Sequence, residues 1–113
     1  MHQVTVNAEK KAEIDARIAA SNTDTWFVEQ VAAGFLSSTG IRLGLSSDDV
    51  TLLTGNFVLA KEAAASELPI PPVIDADGVP HELTIEELTQ LMLEYGQHRA
   101  SLSAEYARRK SEV

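Results

Sequence analysis

All four prolines of the chain fall between residues 69 and 80, and directly after them Thr84-Ile85-Glu86-Glu87 spells a helix start. Proline lacks a backbone donor and restricts the residue before it, so the stretch from Pro69 to Pro80 is neither helix nor interior strand. The four residues that follow form a capping box. The Thr84 hydroxyl takes the Glu87 amide and the Glu87 carboxylate reaches back to the Thr84 amide, together worth about 1 kcal/mol. From there Ile85, Leu88, Met92, Tyr95, Arg99, Leu102 and Tyr106 recur at alternating spacings of three and four, the a and d places of about three heptads. The pattern predicts a helix over 84–110, about 40 Å long at 1.5 Å per residue. A compact chain of 113 residues is only about 34 Å across. Such a helix either overhangs its own body as an arm or is covered along its length by another helix.

Upstream, the spacing predicts three further helices. Asn7 is placed to cap one over 8–20, whose apolar content is thin: Ile14 and Ile18, helped by alanines. Ser21-Asn22-Thr23-Asp24 interrupts that pattern and offers caps for a second helix over 25–38, with Phe27, Val31 and Phe35 as its stripe. Those rings, with Trp26 beside them, read as core before they read as a ligand platform. Gly40 is suited to the left-handed position that ends the helix. Ile41 to Leu45 reads as a short strand or extended linker. Ser46 and the carboxylates Asp48 and Asp49 open a helix over 47–66, carried by Val50, Leu53, Phe57, Ala60 and Ala64. Gly55-Asn56 inside it points to a kink or to a close backbone approach. Between residues 73 and 83, Asp77-Gly78 supplies the turn of a small hairpin. The expected fold is therefore mainly α in a single domain, residues 1–113: four helices with a β-hairpin before a long C-terminal helix. Only the first helix is free to cover the distal seam, Ile14 and Ile18 against Leu102 and Tyr106. Otherwise a second copy or a different protein must do so.

A net charge of −8 argues against a general grip on nucleic acid or on an anionic membrane, both of which need clustered cations. Arg99 and the Arg108-Arg109-Lys110 run are the exception, and a cluster near a helix C-terminus is explained by the macrodipole. Cysteine is absent, which removes disulfides, thiolate catalysis and thiolate metal sites. No apolar run approaches the about 20 residues that span a bilayer, and Met1 to Val6 carry no cationic lead into a hydrophobic stretch. The expected protein is soluble and carries no export signal.

Catalytic patterns are missing too. His2, His81 and His98 are scattered, with no HExxH pair, and there is no GxSxG elbow, phosphate-binding loop or dinucleotide turn. Asp75, Asp77 and Glu86 occupy the first, third and twelfth places of a calcium loop, but glycine falls at the fourth place instead of the sixth and Val79 fills the fifth. The expectation is a protein that is no enzyme, with no catalytic residue, cofactor or metal ligand to assign. The residues singled out for contact are Tyr95, Arg99, Leu102 and Tyr106 on the helical seam, with Val79 and His81 on the hairpin. Each also has a plain reading: Tyr95 as core, Arg99 lying across the seam with its head in solvent, and His81 as a histidine without a partner evident in sequence.

From Gly40 to about Tyr106 the order of features resembles an uncharacterised domain found in tail-fibre and tail-associated proteins of tailed bacteriophages. The shared features are Gly-Ile-Arg-Leu-Gly-Leu, a leucine-rich helix with Leu-Leu-Thr-Gly after Ser-Asp-Asp, a short Asp-Gly hairpin, and Leu-Thr-Ile-Glu-Glu-Leu opening a long helix. The chain departs from it in carrying Pro71-Pro72 where that family usually has an aromatic residue before the hairpin. The resemblance implies a structural or adaptor role in a virion tail, with other tail proteins or further copies of the chain as partners. The alternative expectation is a cytoplasmic acidic interaction module or assembly chaperone.

Overall fold

A computed structural model describes residues 2–112, with side chains from residue 9 onward. In order along the chain are α1 (His2–Ala33), β1 (Phe35–Leu36), β2 (Arg42–Leu43), α2 (Ser47–Ala65), β3 (Val73–Ile74), β4 (Pro80–His81) and α3 (Ile85–Ser111). The mainly helical class is as expected, with 68% of the chain in helix. The count is not: three helices replace four, because residues 8–20 and 25–38 do not form separate elements.

The break anticipated at Ser21-Asn22-Thr23-Asp24 is absent, and α1 runs straight through it. Each of these residues is disfavoured in a helix interior by less than about 1 kcal/mol, so a modest tertiary gain reverses the preference. Thr23 turns its hydroxyl back to donate to the Ala19 carbonyl (3.0 Å), and Asp24 finds partners on α3. The helix then ends at Ala33, earlier than residue 38, because Gly34 takes φ +76° and satisfies its amide on the last turn. A side chain there would also meet the Leu43 carbonyl, 2.9 Å from a Cβ position. Gly40, with φ +88°, belongs instead to the turn that pairs β1 with β2, Phe35 opposite Leu43 and Leu36 opposite Arg42.

Helix α2 keeps its expected span, opened by a reciprocal capping box between Ser46 and Asp49. It continues through Gly55 without interruption, and no neighbouring atom approaches closely enough to explain that glycine. Its end is a Schellman closure in which the amides of Glu67 and Leu68 return to Ala64 and Ala63, with Glu67 held at φ +58°. The second hairpin pairs Val73 with His81 and Ile74 with Pro80. A bond from the Ala76 amide to the Arg42 carbonyl (2.9 Å) ties the two hairpins together. The Thr84–Glu87 capping box of α3 is present with both bonds at 3.1 Å.

The core is small and lies at one end. Phe35, Ile41, Leu43 and Leu45 from the first hairpin meet Ala60 of α2, Val73, and Leu88, Leu91 and Tyr95 of α3. Partly buried Val31, Phe57, Met92 and Leu102 extend it. Beyond this body the molecule is long, with extents of 78 × 23 × 22 Å and a radius of gyration of 20.8 Å. The excess over the compact value comes from α1; α3, expected either to overhang or to be covered by another helix, is covered along its distal half. The second half of α1 lies along the distal half of α3, and roughly 22 residues of α1 precede Asp24, an arm of about 33 Å. Every residue from Glu9 to Ala19 is exposed.

Candidate functional site

The seam between α1 and α3 takes in Tyr106, one of the residues expected to meet a partner. Tyr106 stacks on Phe27 with ring centroids 4.5 Å apart and donates its hydroxyl to Asp24 (2.5 Å). Lys110 pairs with the same carboxylate at 2.8 Å. The Arg109 guanidinium lies 3.8 Å from the centroid of Trp26 and bonds Glu105 at 2.9 Å. Arg108 is held by Glu105 and Glu112, at 2.5 and 2.6 Å. The basic run near the end of α3 is thus engaged in pairing within the chain.

These pairings set the local electrostatics. The Lys110 ammonium, and then the Tyr106 hydroxyl, hold the Asp24 carboxyl below its ordinary range. The same contacts push the Tyr106 phenol and the Lys110 ammonium up, each chiefly through its bond to Asp24. Glu105 is lowered to about 2 by its bonds to Arg108 and Arg109.

Ile14 and Ile18 do not pack on Leu102 and Tyr106. They are 54% and 53% exposed. The physical reason is the unbroken helix: with Asp24 paired to Lys110 at the end of α3, Ile18 lies about 9 Å and Ile14 about 15 Å beyond that level. Leu102 is half-buried against the core, and Tyr95 is almost wholly enclosed at 3% exposure, its hydroxyl bonded to the Gly44 carbonyl at 2.6 Å. Burial pushes the Tyr95 phenol up. Arg99 is half-buried beside Phe27, Val28 and Val31, where it lines a groove of about 390 Å³ running to Leu45 and Ser47. Tyr95, Arg99, Leu102 and Tyr106 therefore face their own chain.

Val79 and His81 lie apart from that seam, at the second hairpin. Val79 is exposed at the turn. His81 does have a partner: its Nε2 lies 2.8 Å from Asp75 Oδ2. The other Asp75 oxygen accepts the amides of Asp77 (2.8 Å) and Val79 (2.9 Å), the arrangement of an Asx turn. The imidazole, followed by the Val79 amide, holds the Asp75 carboxyl below its usual range. Both oxygens of the first residue of the calcium-like string thus stabilise the hairpin itself. Among the described residues no group of three His, Asp or Glu side chains is placed to hold a metal ion, and no helix is long and apolar enough to cross a membrane.

The body presents two further grooves that sequence reasoning missed. One, of about 290 Å³, runs between α2 and the second hairpin and exposes Leu52, Leu59 and Ile74 above Leu88 and Met92. The seven-residue spacing of Leu52 and Leu59 was its trace in sequence. The other, of about 450 Å³, has a floor of Ile41, Leu83 and Leu91 and a rim of Glu86, Glu87, Gln90 and Glu94 along α3, with His81 at one end. Its carboxylates sit at i, i+1 and i+8, a pattern that reads simply as a solvated helix face until the hairpin is folded beside it. Comparison of the chain with protein-family models, with curated proteins and with solved structures finds no match.

Proposed function

We propose that this chain is a non-enzymatic structural or adaptor subunit of a tailed-phage virion, associated with the tail or its fibres and assembled through helix packing. The observation that carries the reading is the arm of α1. An isolated helix of about 20 residues is marginal in water, and over its described residues 9–19 this one is exposed throughout, with Ile14 and Ile18 as its large apolar side chains. A partner's surface supplies what the chain lacks. The resemblance of residues 40–106 to a tail-associated domain adds the setting.

The alternative is a cytoplasmic acidic interaction module or assembly chaperone, favoured by the net charge of −8. The two readings separate on location. Mass spectrometry of purified tail particles from the cells that make the chain should find it at fixed stoichiometry. The double variant Ile14→Glu, Ile18→Glu should be lost from particles while keeping its melting temperature, because both side chains are exposed. Particles without the natural chain would reject the virion reading, and normal incorporation of the variant would reject the role given to the arm.

A further inference from the structure

The arm and the second groove are chemically complementary, although each lies beyond the other's reach within one chain. On the arm, Lys10, Lys11, Arg17 and Ile18 all fall within about 60° of Ile14 around the helix, so three cations and two isoleucines share one face. The carboxylates Glu9, Glu13 and Asp15 lie at least about 100° away from Ile14. The five residues of that face are exposed. Since three cations balance three carboxylates over residues 9–17, the whole net charge of −8 resides on the rest of the chain. The groove concentrates part of it: Glu86, Glu87 and Glu94 rim a floor of Ile41, Leu83 and Leu91.

Dimensions agree as well as charge. Lys10 and Arg17 are about 10 Å apart along α1, and Glu86 and Glu94 about 12 Å apart along α3. The arm points away from its own groove, because α1 is continuous and Asp24 is pinned to Lys110 at the far end of α3. We infer that the groove beside the first turns of α3 receives the basic, isoleucine-bearing face of α1 from a second copy of this chain. Ile14 sits over the apolar floor while Lys10, Lys11 and Arg17 face the carboxylate rim. The arm's centre and the groove's centre lie about 45 Å apart along the molecule. Ile14 lies about 140° from the side of α1 that meets α3, and Gln90 about 160° from the side of α3 that meets α1, so arm and groove open on opposite sides of the molecule and copies join head to tail. The inference deepens the assembly reading above and rests on it in taking the arm to be covered by protein.

The test uses the purified full-length chain, so that its failure is distinct from failure to enter particles. Sedimentation velocity across about a hundredfold range of concentration should show reversible self-association whose dissociation constant rises about tenfold or more between low and high salt. The variant Lys10→Glu, Lys11→Glu, Arg17→Glu should be monomeric throughout, and so should Gln90→Lys, Glu94→Lys, which spares the capping box. Mixing the two variants should restore association, with both incorporated in equal amounts, because the reversed charges again face each other. Circular dichroism of each variant checks that helix content is retained. A chain that is monomeric at every concentration would overturn the inference. So would association that both variants leave intact, or a mixture that fails to associate.

Discussion

Gly34 is the residue on which the first hairpin depends. Its positive φ and its 2.9 Å approach to the Leu43 carbonyl leave no room for a side chain. Gly34→Ala is expected to destabilise the chain by about 1 kcal/mol or more, read as a lower denaturant midpoint at unchanged slope. Glu67 poses the opposite case, a residue with a Cβ at φ +58° in a closure that favours glycine. Glu67→Gly should raise stability by up to about 1 kcal/mol, and a loss of stability would contradict the geometry. Tyr95 was legible in sequence as core from its heptad place, and it is core. Its bond to Gly44, 51 residues away, was not legible, since nothing local specifies so distant an acceptor. Tyr95→Phe should cost about 1 kcal/mol by orphaning that carbonyl.

At the scale of elements, the pairing of α1 with α3 is a clasp of titratable groups, which gives it a pH window. Asp24 and Glu105 have lowered values in the folded chain, so the stability they contribute is present above their ordinary carboxylate range. It is lost as pH falls, for Glu105 through about 2. Tyr106 and Lys110 have raised values, so their contribution is present below about pH 10 and fades as pH rises beyond it. Trp26, the only tryptophan, lies against Arg109 and reports on the clasp directly. Its emission should stay constant from about pH 5 to 9 and change on either side, in acid and in alkali. Insensitivity of Trp26 over the whole range would show that the aromatic stacking alone holds the helices together. Helix starts at Ser46 and Thr84 were readable because capping is local chemistry. The stop at Ser21–Asp24 was misread because such residues tolerate a helix interior at small cost once Thr23 bonds back to Ala19 and Asp24 finds Lys110 and Tyr106.

For the whole molecule, the 78 Å length follows from one unbroken helix projecting from a small body. Removal of residues 1–19 should therefore shorten the maximum dimension seen by X-ray scattering by roughly 25 Å, at 1.5 Å per residue. The stability of the remaining body should change by less than about 0.5 kcal/mol, since the described residues removed are all exposed. A large loss of stability would mean that the arm folds against the body in solution.

Sequence alone determined the helical class, the cap at Ser46 and the capping box at Thr84, the proline-bounded hairpin and the absence of familiar catalytic patterns, because each is written in residues within a few positions of one another. Tertiary structure decided which helix overhangs, how many helices there are and where the grooves lie. Those outcomes turn on the register of α1 against α3, and that register is set by contacts such as Asp24 with Lys110 and Tyr106. The partners are more than 80 residues apart, so no local pattern encodes their meeting. Only the packed chain brings the charge, the ring and the carboxylate to one place.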